Sequence, residues 1–273
     1  MSPPRPVRFA AIQMSSQEDL PANLRRASEL LAEAKTLGAE VALLPENFAL
    51  MGNEDQRLEI AEVLDGNGRV LSALAHAAKV DGLWVIAGGM PERSADPARP
   101  FNSSVVVSPE GKVAAVYRKI HLFDVDLADG ATYRESQATS AGETPVCTPI
   151  AGLSVGLSVC YDLRFPELYR GLSKMGADVL TVPAAFTLMT GKDHWHVLLR
   201  ARAIEAQAYV VAAAQWGSHP KGRRTYGKSC IIDPWGDVIA QASEGEGVVV
   251  ASVDPERIAS VRRNLPALRH RRL

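Results

Sequence analysis

Short apolar runs along the chain alternate with longer stretches whose apolar residues recur at helical spacing. Val7 to Gln13 reads as a buried strand. From Leu20 to Leu37, the residues Leu24, Ala27, Leu30, Leu31 and Ala34 recur three and four apart, which predicts one helix face, and Gly38 follows as a stop. Val41 to Leu44 is a short apolar strand ending in Pro45-Glu46. A helix from about Gly68 to Lys79 leads into a strand at Leu83 to Ala87. Two segments predict hairpins, because Pro and Gly stand where tight reversals need them. One runs from Ser104–Val107 through Pro109-Glu110-Gly111 to Val113–Tyr117. The other runs from Ser229–Ile232 through Asp233-Pro234-Trp235-Gly236 to Val238–Ala242. Between them the pattern predicts strand Leu153–Val159, a helix from about Pro166, strand Asp178–Val182, helix Asp193–Ala206 and strand Tyr209–Ala213. Strand Gly247–Val253 and a helix from Pro255 complete the series.

Buried strands alternating with helices predict an α/β fold in which helices cover sheet faces, and the hairpins make the sheets mixed. About ten strands are many for one open sheet, so two sheets packed together are expected. No linker or low-complexity run interrupts the chain, which is read as one domain, residues 1–273. The stretch from Asp124 to Glu143 reads as a long functional loop.

Composition narrows the function classes. Thirty basic and 31 acidic residues give a net charge of -1, without the basic excess that marks nucleic-acid binders. The basic cluster near the end (Arg262, Arg263, then Arg269 to Arg272 with His270) reads as a solvated terminus. No run approaches the ~18 apolar residues of a membrane span, and no secretory leader is apparent. Three cysteines, Cys147, Cys160 and Cys230, are an odd count without metal-like pairing, which fits free thiols in a reducing compartment. A cytoplasmic protein without membrane or nucleic-acid partners is expected.

Cys160 carries the first chemical signal. It follows the apolar strand Leu153–Val159 and precedes a turn that opens a helix at Pro166. A rigid strand behind a thiol and a helix start ahead of it suit nucleophilic attack, although most free cysteines simply pack as small apolar residues. Cys147 and Cys230 lack such a setting. The six histidines offer no clear base: His121, His194 and His196 read as lining or hydrogen-bonding residues. A carboxylate serves as base when burial lifts its pKa, and Glu46, at the end of an apolar strand, is the candidate. Lys119 ends another strand and could hold the oxyanion formed when a thiolate attacks an amide carbonyl. Glu135 could hold that ammonium. Each residue alone has an ordinary structural alternative.

Together they resemble a known pattern. Leu43-Leu44-Pro45-Glu46-Asn47-Phe48, Tyr117-Arg118-Lys119-Ile120-His121-Leu122-Phe123-Asp124 and Val159-Cys160-Tyr161-Asp162-Leu163-Arg164-Phe165-Pro166-Glu167 are similar to the Glu, Lys and Cys signatures of the nitrilase superfamily, in its order and spacing. The resemblance implies a four-layer α-β-β-α sandwich with two mixed sheets, pairing into homodimers or larger homo-oligomers, and hydrolysis of a small amide with no metal or organic cofactor. It assigns Glu46 as general base, Lys119 as oxyanion stabiliser and possible acid, Cys160 as nucleophile, Glu135 as a positioning carboxylate and the Tyr161 backbone N–H to the oxyanion hole. Within the superfamily the chain resembles the branch of deaminated glutathione amidases and omega-amidases, through His194-Trp195, Leu199 to Glu205, Val210 to Gln215, Tyr226 to Ser229, Asp233 to Gly236 and the ending Leu265 to Arg272. Ala213-Ala214-Gln215 and the basic ending favour the former, hence deaminated glutathione as substrate. The alternatives are 2-oxoglutaramate or another small amide or N-carbamoyl compound, and, from another class, a non-catalytic binding protein of the same fold. His196 stands where this branch more often has Glu. A 2-oxo-acid substrate needs cations for its carboxylate, for which Arg164 and Arg118 are candidates, with Phe186, Thr187 and Trp195 expected in loops beside the pocket.

Overall fold

The computed structural model describes residues 5–126, 130 and 132–272. The first half of the chain forms β1 (Val7–Gln13), α1 (Leu20–Thr36), β2 (Val41–Leu43), α2 (Glu54–Glu59), α3 (Arg69–Asp81), β3 (Trp84–Glu92), β4 (Phe101–Val107) and β5 (Val113–Arg118). A small excursion follows: β6 (Asp124–Asp126), β7 (Thr132–Arg134) and α4 (Glu135–Ala138). The second half forms β8 (Cys147–Ile150), β9 (Leu153–Leu157), a 3-10 turn (Cys160–Arg164), α5 (Pro166–Lys174), β10 (Val179–Ala184), α6 (Leu188–Ala206) and β11 (Tyr209–Ala214). It closes with β12 (Trp216–Ser218), β13 (Arg224–Tyr226), β14 (Cys230–Ile232), β15 (Val238–Gln241), β16 (Gly247–Val253) and α7 (Pro255–Asn264).

Two six-stranded mixed sheets result, ordered β16-β1-β2-β3-β4-β5 and β8-β9-β10-β11-β14-β15. In these orders both sheets repeat one pairing pattern: antiparallel, parallel, parallel, antiparallel, antiparallel. They stack face to face, with β1 against β11 and β3 against β10. Side chains alternate across a strand, so one strand feeds two cores. Phe9 and Ala11 of β1 join the core shared with the second sheet, α5 and α6. Ala10 and Ile12 join the core under α1 and α3. Apolar runs without polar alternation are the direct result of burial on both faces. The expected α-β-β-α sandwich is therefore what the chain forms.

Several boundaries differ from expectation. α6 begins at Leu188 rather than Asp193, because the Thr187 side chain accepts from the Thr190 N–H and caps an earlier first turn. The stretch from Asp124 onward holds the β6–β7 hairpin and α4 instead of plain loop; its residues 127–129 and 131 lie outside the described residues. Among the described residues, no helix is long and apolar enough to cross a membrane.

Gly88 and Gly89 set how closely the layers meet. A β-bulge between Gly88 and Met90 interrupts the β3–β4 register. A Cβ on Gly88 would run into the Leu44 carbonyl and Pro183 of the facing sheet. Gly89, at φ +90°, leaves room for Asn102 and Glu46 beside it. Gly88→Ala is expected to cost about 1–3 kcal/mol, as overpacking of a closed core does, read as a lower urea midpoint at unchanged m-value.

Candidate active site

Four sequence-predicted residues meet at one end of the sheets. Glu46 follows β2 in a turn held by the Asn47 N–H, which donates to the Gly89 carbonyl at 3.0 Å. Asn47 has φ 58°, a left-handed conformation that Asn accepts better than most residues. Lys119 follows β5, its N–H donating to the Asn102 carbonyl at 2.8 Å. Glu135 opens α4. Cys160 opens the 3-10 turn after β9 at φ 50°. Such a backbone costs a non-glycine residue ~1–3 kcal/mol and persists only where the surroundings enforce it.

Those surroundings centre on Asp162, which is fully buried. Its carboxylate accepts from the Val159 N–H at 2.8 Å, the Tyr117 hydroxyl at 2.7 Å and the His121 N–H at 3.0 Å, and lies 2.7 Å from His121 Nδ1. Val159 immediately precedes Cys160, while Tyr117 and His121 bracket Lys119. One carboxylate thus fixes the backbones that carry the thiol and the ammonium. The His121 ring stacks on Phe165 at 3.7 Å.

The polar array is closed, two carboxylates sharing one ammonium. Lys119 Nζ donates to Glu46 Oε1 at 3.0 Å and to Glu135 Oε2 at 2.8 Å. Asn102 Nδ2 donates to Glu46 at 3.0 Å and to Glu135 at 3.2 Å. Glu46 Oε2 accepts from the Ala185 N–H at 3.1 Å, a bond from the opposite sheet, and Glu135 Oε2 from the Phe123 N–H at 2.7 Å. Burial works against the Lys119 ammonium, but the charges of Glu135 and Glu46 outweigh it and hold the pKa above that of an ordinary lysine. Burial likewise works to raise Glu135, yet Lys119 and Arg57 keep it ionised, with a pKa of about 2. The Cys160 thiol is pushed well above the usual range by burial and by the negative charge of the neighbouring Glu46. The resting sulfur is therefore a protonated thiol, and attack requires a base to accept its proton as the bond forms.

A cavity of about 790 Å³ opens over this array, in the range that encloses an organic metabolite. Tyr161, Phe186 and Thr187 lie on its wall, as does Arg164. Arg164 Nη1 lies 3.2 Å from His194 Nδ1, and its guanidinium is 5.2 Å from the Phe186 ring centroid. It makes no ion pair with Glu167 among the described residues. Two expectations are corrected. Trp195 sits inside α6 rather than in a loop, is fully buried, donates its indole N–H to the Lys228 carbonyl at 2.9 Å and backs Phe186 from behind. Arg118 points away from the cavity and forms a bidentate pair with Glu92 at 2.6 and 2.9 Å. His196 engages Gln241 at 2.8 Å and is absent from the cavity wall. Cys230 is buried in β14 and Cys147 half-buried in β8, both remote from the array. Asn102, the Ala185 N–H, Arg57 and Arg223 belong to the site without having been anticipated. None of these carries a clear local signal: Asn102 stands with Ser103 and Ser104 in the polar first half of β4. Among the described residues, no cluster of three or more His, Cys, Asp or Glu is arranged to hold a metal ion.

The carbon-nitrogen hydrolase family model matches residues 8–263. The deaminated glutathione amidase of Synechocystis sp. is 47% identical over 271 residues, covering 98% of each chain. The deaminated glutathione amidase of Homo sapiens is 44% identical over 270 residues, covering 96% of this chain and 81% of the human one. Among solved structures, the C. elegans NitFhit protein superimposes with a TM-score of 0.92 at 36% identity, covering 98% of this chain and 65% of that protein.

Proposed function

The chain belongs to the carbon-nitrogen hydrolase family, and from that premise we propose that it hydrolyses the amide of deaminated glutathione, releasing 2-oxoglutarate and cysteinylglycine. The observation that carries the reading is the buried Glu46–Lys119–Glu135 array facing Cys160 beneath a cavity walled by uncommitted cations. The identity with deaminated glutathione amidases along nearly the whole chain supports the choice of substrate.

Glu46 takes the proton of the Cys160 thiol as sulfur attacks the amide carbon. The oxyanion settles between Lys119 Nζ and the Tyr161 N–H, where fixed donors in a water-poor site stabilise developing charge most. Because its neighbours raise the basicity of Lys119, it acts as a fixed positive charge, and the proton for the departing amine comes from the protonated Glu46. Water, deprotonated by Glu46, then attacks the thioester; the C–S bond breaks, the Cys160 sulfur takes the proton back from Glu46, and the acid leaves. Glu135 keeps Lys119 charged and aimed. Arg164, beside Phe186 and Thr187, takes the 2-oxo-acid carboxylate.

The assay is release of 2-oxoglutarate from deaminated glutathione and from 2-oxoglutaramate at equal concentrations. A clear preference for the first is expected; a preference for the second would make the enzyme an omega-amidase and overturn the substrate assignment. The same reading makes residues 1–273 one catalytic domain acting as a homodimer or larger homo-oligomer. Val197, Ile204 and Trp235 are exposed, and the Trp235-Gly236 turn abuts Ile204, an apolar patch of the kind that subunits cover.

A further inference from the structure

The cavity carries more positive charge than a 2-oxo acid uses. Several arginines hold a carboxylate: Arg118 and Arg202 away from the cavity, and Arg134 on its wall. Among the described residues, Arg57 and Arg223 on the cavity wall hold none, and the Nε of each is shielded from solvent with no hydrogen-bond partner. A shielded guanidinium N–H without an acceptor costs free energy unless a ligand supplies one. Arg223 Nη2 donates to the Ala185 carbonyl at 3.1 Å, and the guanidinium lies 5.7 Å from the Tyr133 ring centroid. Both contacts orient the group without neutralising it. Arg57, on α2, acts electrostatically on Glu135 but makes no ion pair with it, the near partner of Glu135 being Lys119 at 2.8 Å, which Glu46 shares. The remaining acidic wall residues, Glu54 and Asp55, are exposed.

The two arginines reach the cavity from segments stitched together through Gln17. The Met51 N–H, on the segment leading to α2, donates to the Gln17 carbonyl at 3.0 Å. Gln17 Nε2 donates to the Ser218 carbonyl, in the strand preceding Arg223, at 3.2 Å. Arg164 belongs to a different part of the wall, tied to His194 of α6. We propose that Arg57 and Arg223 form a second carboxylate subsite, which holds the terminal carboxylate of the leaving group while Arg164 holds that of the acyl group. The enzyme then selects amides that are anionic at both ends. This deepens the deaminated glutathione reading and rests on it.

The test compares kcat/KM for deaminated glutathione with that for the same molecule whose glycine carboxylate is a carboxamide, in the wild type, Arg57→Gln, Arg223→Gln and the double variant. The readout is the acid-to-amide ratio, in which any general loss of activity cancels. The wild type is expected to favour the acid by about ten- to a hundredfold, the value of one or two charge-assisted hydrogen bonds. Each variant should shrink the ratio and the double variant should bring it near one. Arg57→Lys and Arg223→Lys, which keep the charge, should retain part of it and serve if a Gln variant folds poorly. A wild type that does not distinguish acid from amide, or variants that keep the wild-type ratio, overturn the subsite while leaving the substrate assignment standing. A wild type inactive on deaminated glutathione removes both.

Discussion

Cys160→Ala is expected to lower kcat by about 10⁴-fold or more, since removing a covalent nucleophile leaves only binding and oxyanion stabilisation. The variant should fold. Cys160 is small, and alanine fills most of its volume, so the stability change is expected to stay within about 1 kcal/mol, less than a Leu→Ala truncation. The check is a paired measurement of steady-state turnover and urea unfolding. Mass spectrometry with a slow substrate should find an acyl adduct on the wild type and none on the variant. Retained turnover by a correctly folded Cys160→Ala protein would remove the nucleophile assignment, because Cys147 and Cys230 lie away from the cavity.

Glu46→Gln should be nearly as damaging for two separable reasons. The amide cannot accept the thiol proton, and general-base removal costs about 10²–10⁴-fold. The site also surrounds Glu46 with donors: Lys119 Nζ and Asn102 Nδ2 on one oxygen, the Ala185 N–H on the other. A glutamine must turn its NH₂ toward one of them, which costs about 1–3 kcal/mol for an unsatisfied buried group. The variant should therefore be both slow and less stable. Rapid-quench kinetics should show no thioester burst; a normal burst would mean that another group deprotonates Cys160.

Eleven of the twelve strands in the two sheets are legible as short apolar runs, and the strand-ending positions of Glu46, Lys119 and Cys160 follow from them; β8, an edge strand with Thr148 and Pro149 at its centre, is not. What escaped detection has little periodicity. α2 buries no side chain, and β12 and β13 are three residues each. α6 was anticipated five residues short. Its first turns contain Gly191, which reads as a breaker, but a Cβ there would collide with the Tyr226 ring, so the glycine is kept for packing. Asn102 and the Ala185 N–H are partners of Glu46 from 56 and 139 residues away, and no local pattern encodes such distances. Trp195 was misplaced because an aromatic beside polar residues looks like a pocket wall, whereas its indole N–H is satisfied internally by Lys228.

Glu46 hangs from the first sheet and Cys160 from the second, joined by the Ala185 N–H bond across the interface. Catalytic competence is then a property of the closed double layer, with no residual form in either half. Turnover becomes a cooperative reporter of tertiary structure: on heating, the inactivation curve should superimpose on the loss of the near-ultraviolet dichroism signal, with no inactive yet fully packed state between them. It also means that gene duplication of one half, suggested by the repeated strand pattern, could not by itself have carried this chemistry until the two copies met face to face.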